Sequence, residues 1–162
     1  PINLPIFDKL IDRRKKNIKK ISKKCDILIL EGWCVGCPPI PIKYLYKNLN
    51  SIEKKFDKNK NWRNFYNSKL KTSYAEVFRL FNYNIFFKTP SFSCVIKWRN
   101  KQEKFQKKIK QNIRPLGMTE YELKIFIQHY EKITKYMLIK IPRKANLVII
   151  VDKNQKILKI IN

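Results

Sequence analysis

The chain is short of the residues on which several function classes depend. Of its 162 residues only three are glycine, one is histidine and twelve are acidic, against 37 lysines and arginines. Three scattered glycines (Gly32, Gly36, Gly117) cannot build a Gly-rich loop of the form G-x-x-x-x-G-K-S/T, so the sequence holds no phosphate cradle of that type. A single histidine leaves a zinc site without its usual ligands, since Cys34 and Cys37 form one C-x-x-C with no second pair. A redox C-x-x-C usually opens a helix, whereas Pro38 and Pro39 follow this one directly. The cysteines therefore read as packing residues in a reducing compartment. His129, set among core positions of a predicted helix, reads as structural. No apolar run approaches the ~18 residues that cross a bilayer. The opening residues lack the basic region and apolar stretch of a signal peptide. A cytoplasmic protein without a membrane partner is expected. The first residue is Pro1 rather than Met, which reads as a truncated chain.

What is there is enough for one domain: 44% hydrophobic residues over a length that buries one proper core. The formal net charge of +25 raises nucleic-acid binding as a function class. Yet lysines lie along the whole chain and Asn and Ile are abundant too. That is the signature of A/T-rich codons, so composition explains much of the charge and no specific nucleic-acid partner is expected.

The most informative stretch is residues 26–36. Ile27, Leu28, Ile29 and Leu30 form an unbroken apolar run that Glu31 and Gly32 end abruptly. Such a run is too short for a helix and suits a strand buried on both faces of a parallel sheet. Ligands of open α/β sheets bind beyond the carboxyl ends of strands, which puts Glu31 where chemistry is expected. Before it, residues 1–8 look extended and end in Asp8, and the basic residues after Asp12 and Arg13 read as a loop or short helix. After it, Asn50 and Glu53 have capping-box spacing. Trp62, Phe65, Tyr66, Leu70, Tyr74, Val77, Phe78 and Phe81 then make an aromatic stripe at helical spacing, read as core. Residues 83–88 read as a second buried strand. A basic helix opens at Ser91, and Pro115, Leu116 and Gly117 break it. Thr119 and Glu122 make a capping box for a helix with Leu123, Phe126, Ile127, Tyr130, Ile133, Met137 and Leu138 inward. Residues 145–151 and 156–161 are the last strands. Strands alternating with helices, with acids at strand ends, indicate an α/β fold.

Taken in order, the motifs resemble the D-glycerate 3-kinase-like group of P-loop kinases, relatives of phosphoribulokinase, uridine kinase and bacterial pantothenate kinase. Carrying the resemblance are Leu4-Pro5-Ile6-Phe7-Asp8-Lys9, Asp12-Arg13, and Ile29-Leu30-Glu31-Gly32-Trp33-Cys34-Val35-Gly36. Trp62-Arg63 with Asn67, Trp98-Arg99 with Gln102-Glu103, Gly117-Met118-Thr119, and Phe126, Tyr130-Glu131 and Thr134 complete it. The resemblance covers nearly the whole chain. It implies a three-layer P-loop kinase-like fold, a parallel sheet with flanking helices, here without its N-terminal P-loop strand. Residues 1–162 would be the C-terminal part of one kinase domain, with a lid helix at about 91–113.

The activity implied is transfer of the γ-phosphoryl group of ATP, with Mg²⁺, to a hydroxyl of D-glycerate or a similar acid, a chemistry of positioning and charge neutralisation. The resemblance assigns Asp8 as base or orienting acceptor for the hydroxyl, and Glu31 to Mg²⁺ through its waters or to positioning the hydroxyl. It assigns Arg13 to the substrate carboxylate as a bidentate fork. Lys9, Asp12, Trp33, Arg63 and Asn67 join it in substrate binding, and Arg99 and Gln102 serve on the nucleotide lid, Arg99 at the transferring phosphoryl group. The fragment alone is expected to be inactive. The competing reading is a basic α/β nucleic-acid-binding module or a regulatory pseudokinase, whose lysines would line one groove while Asp8, Arg13, Glu31 and Arg99 scatter.

Overall fold

The computed structural model describes residues 1–8, 13–109 and 118–162. The chain is α/β with two separate sheets. The first is an antiparallel ribbon of β1 (Ile2–Asp8) and β2 (Arg13–Ile21), in which Asp8 faces Arg13, Leu4 faces Lys19 and Ile2 faces Ile21. The basic segment expected as loop or helix is thus a strand. Isolated helices need sustained favourable packing, whereas the extended β1 offers β2 a full ladder of backbone partners.

The second sheet has the order β3 (Ile85–Lys88), β4 (Leu147–Val151), β5 (Ile157–Ile161). β3 and β4 are parallel, β4 and β5 antiparallel, so the expected all-parallel sheet is corrected to a mixed one among the described residues. The reversal comes from the tight turn after β4, where the Asp152 carboxylate accepts from the Asn154 and Lys156 N–H groups and Gln155 takes φ 67°. A turn that short can only return the chain antiparallel.

The largest correction concerns residues 27–30, which form no strand. Ile27, Leu28, Ile29 and Leu30 are 77%, 88%, 82% and 52% exposed. A strand is a property of a pair, and among the described residues this run has no ladder partner to satisfy its backbone groups.

Helices make up most of the remaining described residues, and Phe86 of β3 packs against the cluster they form. They are α1 (Ile42–Leu45), α2 (Ser51–Lys55), α3 (Asn61–Lys71), α4 (Ser73–Phe78), α5 (Phe92–Ile109) and α6 (Glu120–Lys140), the last followed by a 3₁₀ turn at Ile141–Arg143. Their starts follow local chemistry. The Asn50 side chain accepts from Glu53 N–H at 3.1 Å, while the Glu53 carboxylate reaches back to Leu49 N–H at 2.7 Å. Thr119 and Glu122 complete a reciprocal capping box. The aromatic stripe is broken at Thr72. Leu70 is buried and Tyr66 and Phe78 are partly so, but Trp62, Phe65, Tyr74 and Val77 stand at the surface.

Two apolar clusters result. Cys37, Ile40, Leu45, Leu70, Ile133, Tyr136 and Met137 form the larger, with Phe86 of β3 packed against it. Phe92, Leu123 and Ile127 form the smaller, between α5 and α6. Each fully buried Leu or Ile contributes on the order of 1.5–3 kcal/mol, so α6, which serves both, is the spine. A buried polar cluster ties α6 to the first helices. Lys132 Nζ lies 3.3 Å from Glu53 and donates to the carbonyl oxygens of Tyr44 and Lys47.

One face of the second sheet is uncovered. Cross-strand partners share a face, and the rows Ile85–Leu147 and Phe87–Ile149–Ile160 lie opposite the rows that carry Phe86 and Val148. Ile85, Phe87, Leu158 and Ile160 are all more than half exposed. The expected second strand, buried on both faces, is therefore buried on one.

Candidate active-site groove

The groove begins at the tight turn after residues 27–30. A Cβ on Gly32 would come within 2.8 Å of the Val35 side chain, and Gly36 has φ +77°, so both positions exclude an ordinary side chain. The turn points Trp33 one way and its cysteines the other. Cys37 and Cys34 join the larger cluster, while Trp33 packs on the smaller. The Trp33 ring stacks on Tyr130 with centroids 4.8 Å apart, and Tyr130 in turn meets Phe126 at 5.1 Å. Trp33 Nε1–H donates to Thr134 Oγ1 at 2.9 Å, and that hydroxyl donates to the Tyr130 carbonyl. A ring stacked and hydrogen-bonded at once is fixed in orientation.

Opposite Trp33 runs α5. Among the described residues the groove is lined by Trp33, Val95, Trp98, Arg99, Lys101, Gln102, Lys104, Phe105 and Gln155, and encloses about 690 Å³. Trp98 Nε1–H donates to the Lys153 carbonyl at 2.9 Å, tying α5 to the β4–β5 turn. Arg99 is half-buried. Its Nη2 lies 2.6 Å from the buried Glu103 carboxylate and its Nη1 donates to Gln102 Oε1 at 2.5 Å. Carboxylate and amide hold a guanidinium that still borders open space, which is how an arginine is kept ready for an anion.

Comparison with solved structures identifies the fold. D-glycerate 3-kinase from Cryptococcus neoformans var. grubii serotype A superposes with a TM-score of 0.74 at 22% identity, over 99% of this chain and 59% of that one. The YGR205w protein matches with a TM-score of 0.69 at 22% identity, over 99% of this chain and 57% of that one. The chain has the D-glycerate 3-kinase fold. The resemblance read from the motifs is borne out at that level. The chain spans less than two thirds of the length of either structure. No protein-family model matches it, nor does any curated protein.

Against this fold the expected site residues divide. Trp33, Arg99 and Gln102, drawn from separate motifs, meet in the groove. Asp8 and Arg13 are partners across the end of the ribbon, and Arg13 is exposed. Lys9 and Asp12 lie outside the described residues, as do Pro115, Leu116 and Gly117. Glu31 is exposed just ahead of Trp33 and is not in the groove lining described.

Arg63 and Asn67 belong to the interior. Arg63 is 1% exposed, its Nε donating to Asp57 at 2.7 Å and its other nitrogens to the Asp57 carbonyl and Asn48. Asn67 forms two hydrogen bonds with the backbone of Ile40. These side chains spend their polar atoms on fixing the loop before α1 and the turn before α3. His129 is exposed on α6, its Nδ1 3.1 Å from the Ile125 carbonyl oxygen.

Sequence reasoning missed Phe105, Lys101, Lys104 and Gln155 as groove residues. The first three follow from the period of α5, on which they sit near Arg99 and Gln102. Gln155 carries no local signal, because only the fold brings the β4–β5 turn there.

Proposed function

We propose that this chain forms the acceptor and lid side of an ATP-dependent small-molecule kinase, acting on a hydroxyl of D-glycerate or a similar acid. The observation that supports it is the meeting of Trp33, Arg99 and Gln102 in one groove on this fold. Arg99, oriented by Glu103 and Gln102, would face the negative charge that builds on a transferring phosphoryl group, where a preorganised cation acts most strongly. Trp33 would close the apolar side and exclude water. Asp8 would accept the proton of the attacking hydroxyl, and Arg13, its neighbour in the ribbon, would take the acceptor's carboxylate.

Mg²⁺ in such enzymes keeps most of its waters and needs only one or two protein carboxylates beside the phosphates. The exposed Glu31 fits that modest demand. Among the described residues no group of three or more ligand side chains converges on a metal. The ion would neutralise phosphate charge, and Glu31 would orient its waters.

The test is a steady-state assay of protein from the complete reading frame, with ATP, Mg²⁺ and a panel of hydroxy acids. Acceptor-dependent ADP release that Arg99→Ala abolishes is expected. ADP release indifferent to every acceptor would overturn the proposal.

A further inference from the structure

The ribbon of β1 and β2 carries a concentration of charge that the kinase reading, apart from Arg13, leaves unused. Residues 13–24 hold eight lysines and arginines, and no acid occurs between Asp12 and Asp26. Elsewhere lysines and arginines are spread more thinly along the chain. Here they are packed onto one strand and its exit, and all are exposed. The ribbon makes its main contacts within itself.

We infer that this ribbon binds duplex DNA, without sequence preference, by entering the major groove. The geometry is suited. Two strands lie ~5 Å apart and nine residues extend for ~30 Å, while the B-form major groove is ~12 Å wide and admits a two-stranded ribbon. A groove has a phosphate wall on each side, so its guest needs cations on both faces. The register supplies them: Arg14 and Lys20 share a face with Phe7 and Asn3, and Lys19 shares the opposite face with Leu4. The same register argues against a membrane surface. A ribbon lying on lipid would present its apolar residues to one side, whereas here they are divided, Ile2, Leu4 and Ile21 on one face and Phe7 and Ile18 on the other. Phe7 is also the one aromatic on either strand, too little for a single-strand stacking platform.

The experiment measures fluorescence anisotropy of a short labelled DNA duplex with the whole protein across a salt series. A variant carrying Arg14→Gln, Lys16→Gln, Lys19→Gln and Lys20→Gln is compared with a charge-matched control carrying Lys54→Gln, Lys55→Gln, Lys58→Gln and Lys124→Gln. Each phosphate contact contributes about 0.9 to the slope of log affinity against log salt, so the ribbon variant should lose about 3–4 from that slope and the control almost nothing. Circular dichroism verifies folding. If the fourfold variant does not fold, Lys19→Gln with Lys20→Gln should lose about 2 from the slope. Equal losses in variant and control would mean that bulk charge alone binds, and would overturn the proposal. So would equal affinity for duplex RNA, whose major groove is too narrow for a ribbon. Preference for phosphatidylcholine–phosphatidylserine vesicles over DNA would also overturn it.

Discussion

Arg99 and Glu103 form an ion pair of 2.6 Å one turn apart on α5, with the carboxylate buried and the guanidinium at the groove's edge. The inner partner is fixed and the outer one is aimed. In the protein from the complete reading frame, Arg99→Ala is expected to lower kcat far more than it raises the acceptor KM, because in the role proposed for it Arg99 acts on charge present in the transition state. Unchanged kcat with a raised KM would make Arg99 a ground-state contact instead.

At the end of the ribbon, Asp8 faces Arg13 in register. Asp8→Asn is expected to reduce turnover by ~10²–10⁴-fold, the usual contribution of an aligned base. ATP binding, followed by equilibrium titration, should be unaffected. Near-normal kcat would remove Asp8 from the chemistry.

The Arg63–Asp57 pair lies wholly in the scaffold. Arg63→Ala strands a buried carboxylate and should destabilise the fold by about 3–5 kcal/mol. Asn67→Ala, which leaves the Ile40 N–H and carbonyl unpaired, should cost about 1–3 kcal/mol. Denaturant midpoints at constant m-value measure both. A loss of acceptor affinity with unchanged stability would return either residue to the binding site.

Burial raises the Cys34 thiol from the ordinary 9.0 to about 11, and burial together with Cys34 raises Cys37 to about 12. Above pH 9 the unfolded chain therefore releases protons that the folded chain retains. The contribution to stability is complete below pH 9 and is lost as pH rises through 11 and 12, on the order of 2–4 kcal/mol for each thiol. Tyr66, whose buried hydroxyl is also pushed up by desolvation, steepens the fall. Cys34→Ser with Cys37→Ser should flatten the alkaline limb of a stability–pH profile and leave metal content unchanged. In the native wild type, the exposed Cys25 should react with a thiol reagent long before either buried thiol. Stoichiometric zinc lost in the double variant would overturn this assignment.

What was legible in the sequence is what short stretches determine by themselves. Both capping arrangements stand where side chains three residues apart placed them, and the inward face of α6 followed from its period. Partnership across the chain was not legible. Residues 27–30 have every property of a buried strand except a neighbour, and β2 has the charge of a surface loop yet finds one in β1. The groove was half visible. Trp33, Arg99 and Gln102 stand in recognisable motifs, but burial of Arg63 and Asn67 depends on the loop at Ile40 and the turn at Asp57, which no periodicity reports.

The uncovered face of the second sheet and the bare run at residues 27–30 have a consequence for the life of the polypeptide. Quality-control machinery recognises non-native chains by extended apolar segments, and here the folded state displays such a segment as well as the apolar rows of β3 and β5. These 162 residues expressed alone should therefore bind holdase chaperones even when folded, elute as assemblies rather than as a monomer, and hydrolyse no ATP. Sedimentation and a chaperone-capture assay are the checks. A cooperative melt, monomeric elution and tight ATP binding would refute this. Leu158→Lys with Ile160→Lys, which charges the open face without touching the core rows, should release the chain from its chaperones. Its half-life in the cell is then set by what covers this sheet more than by the depth of its core.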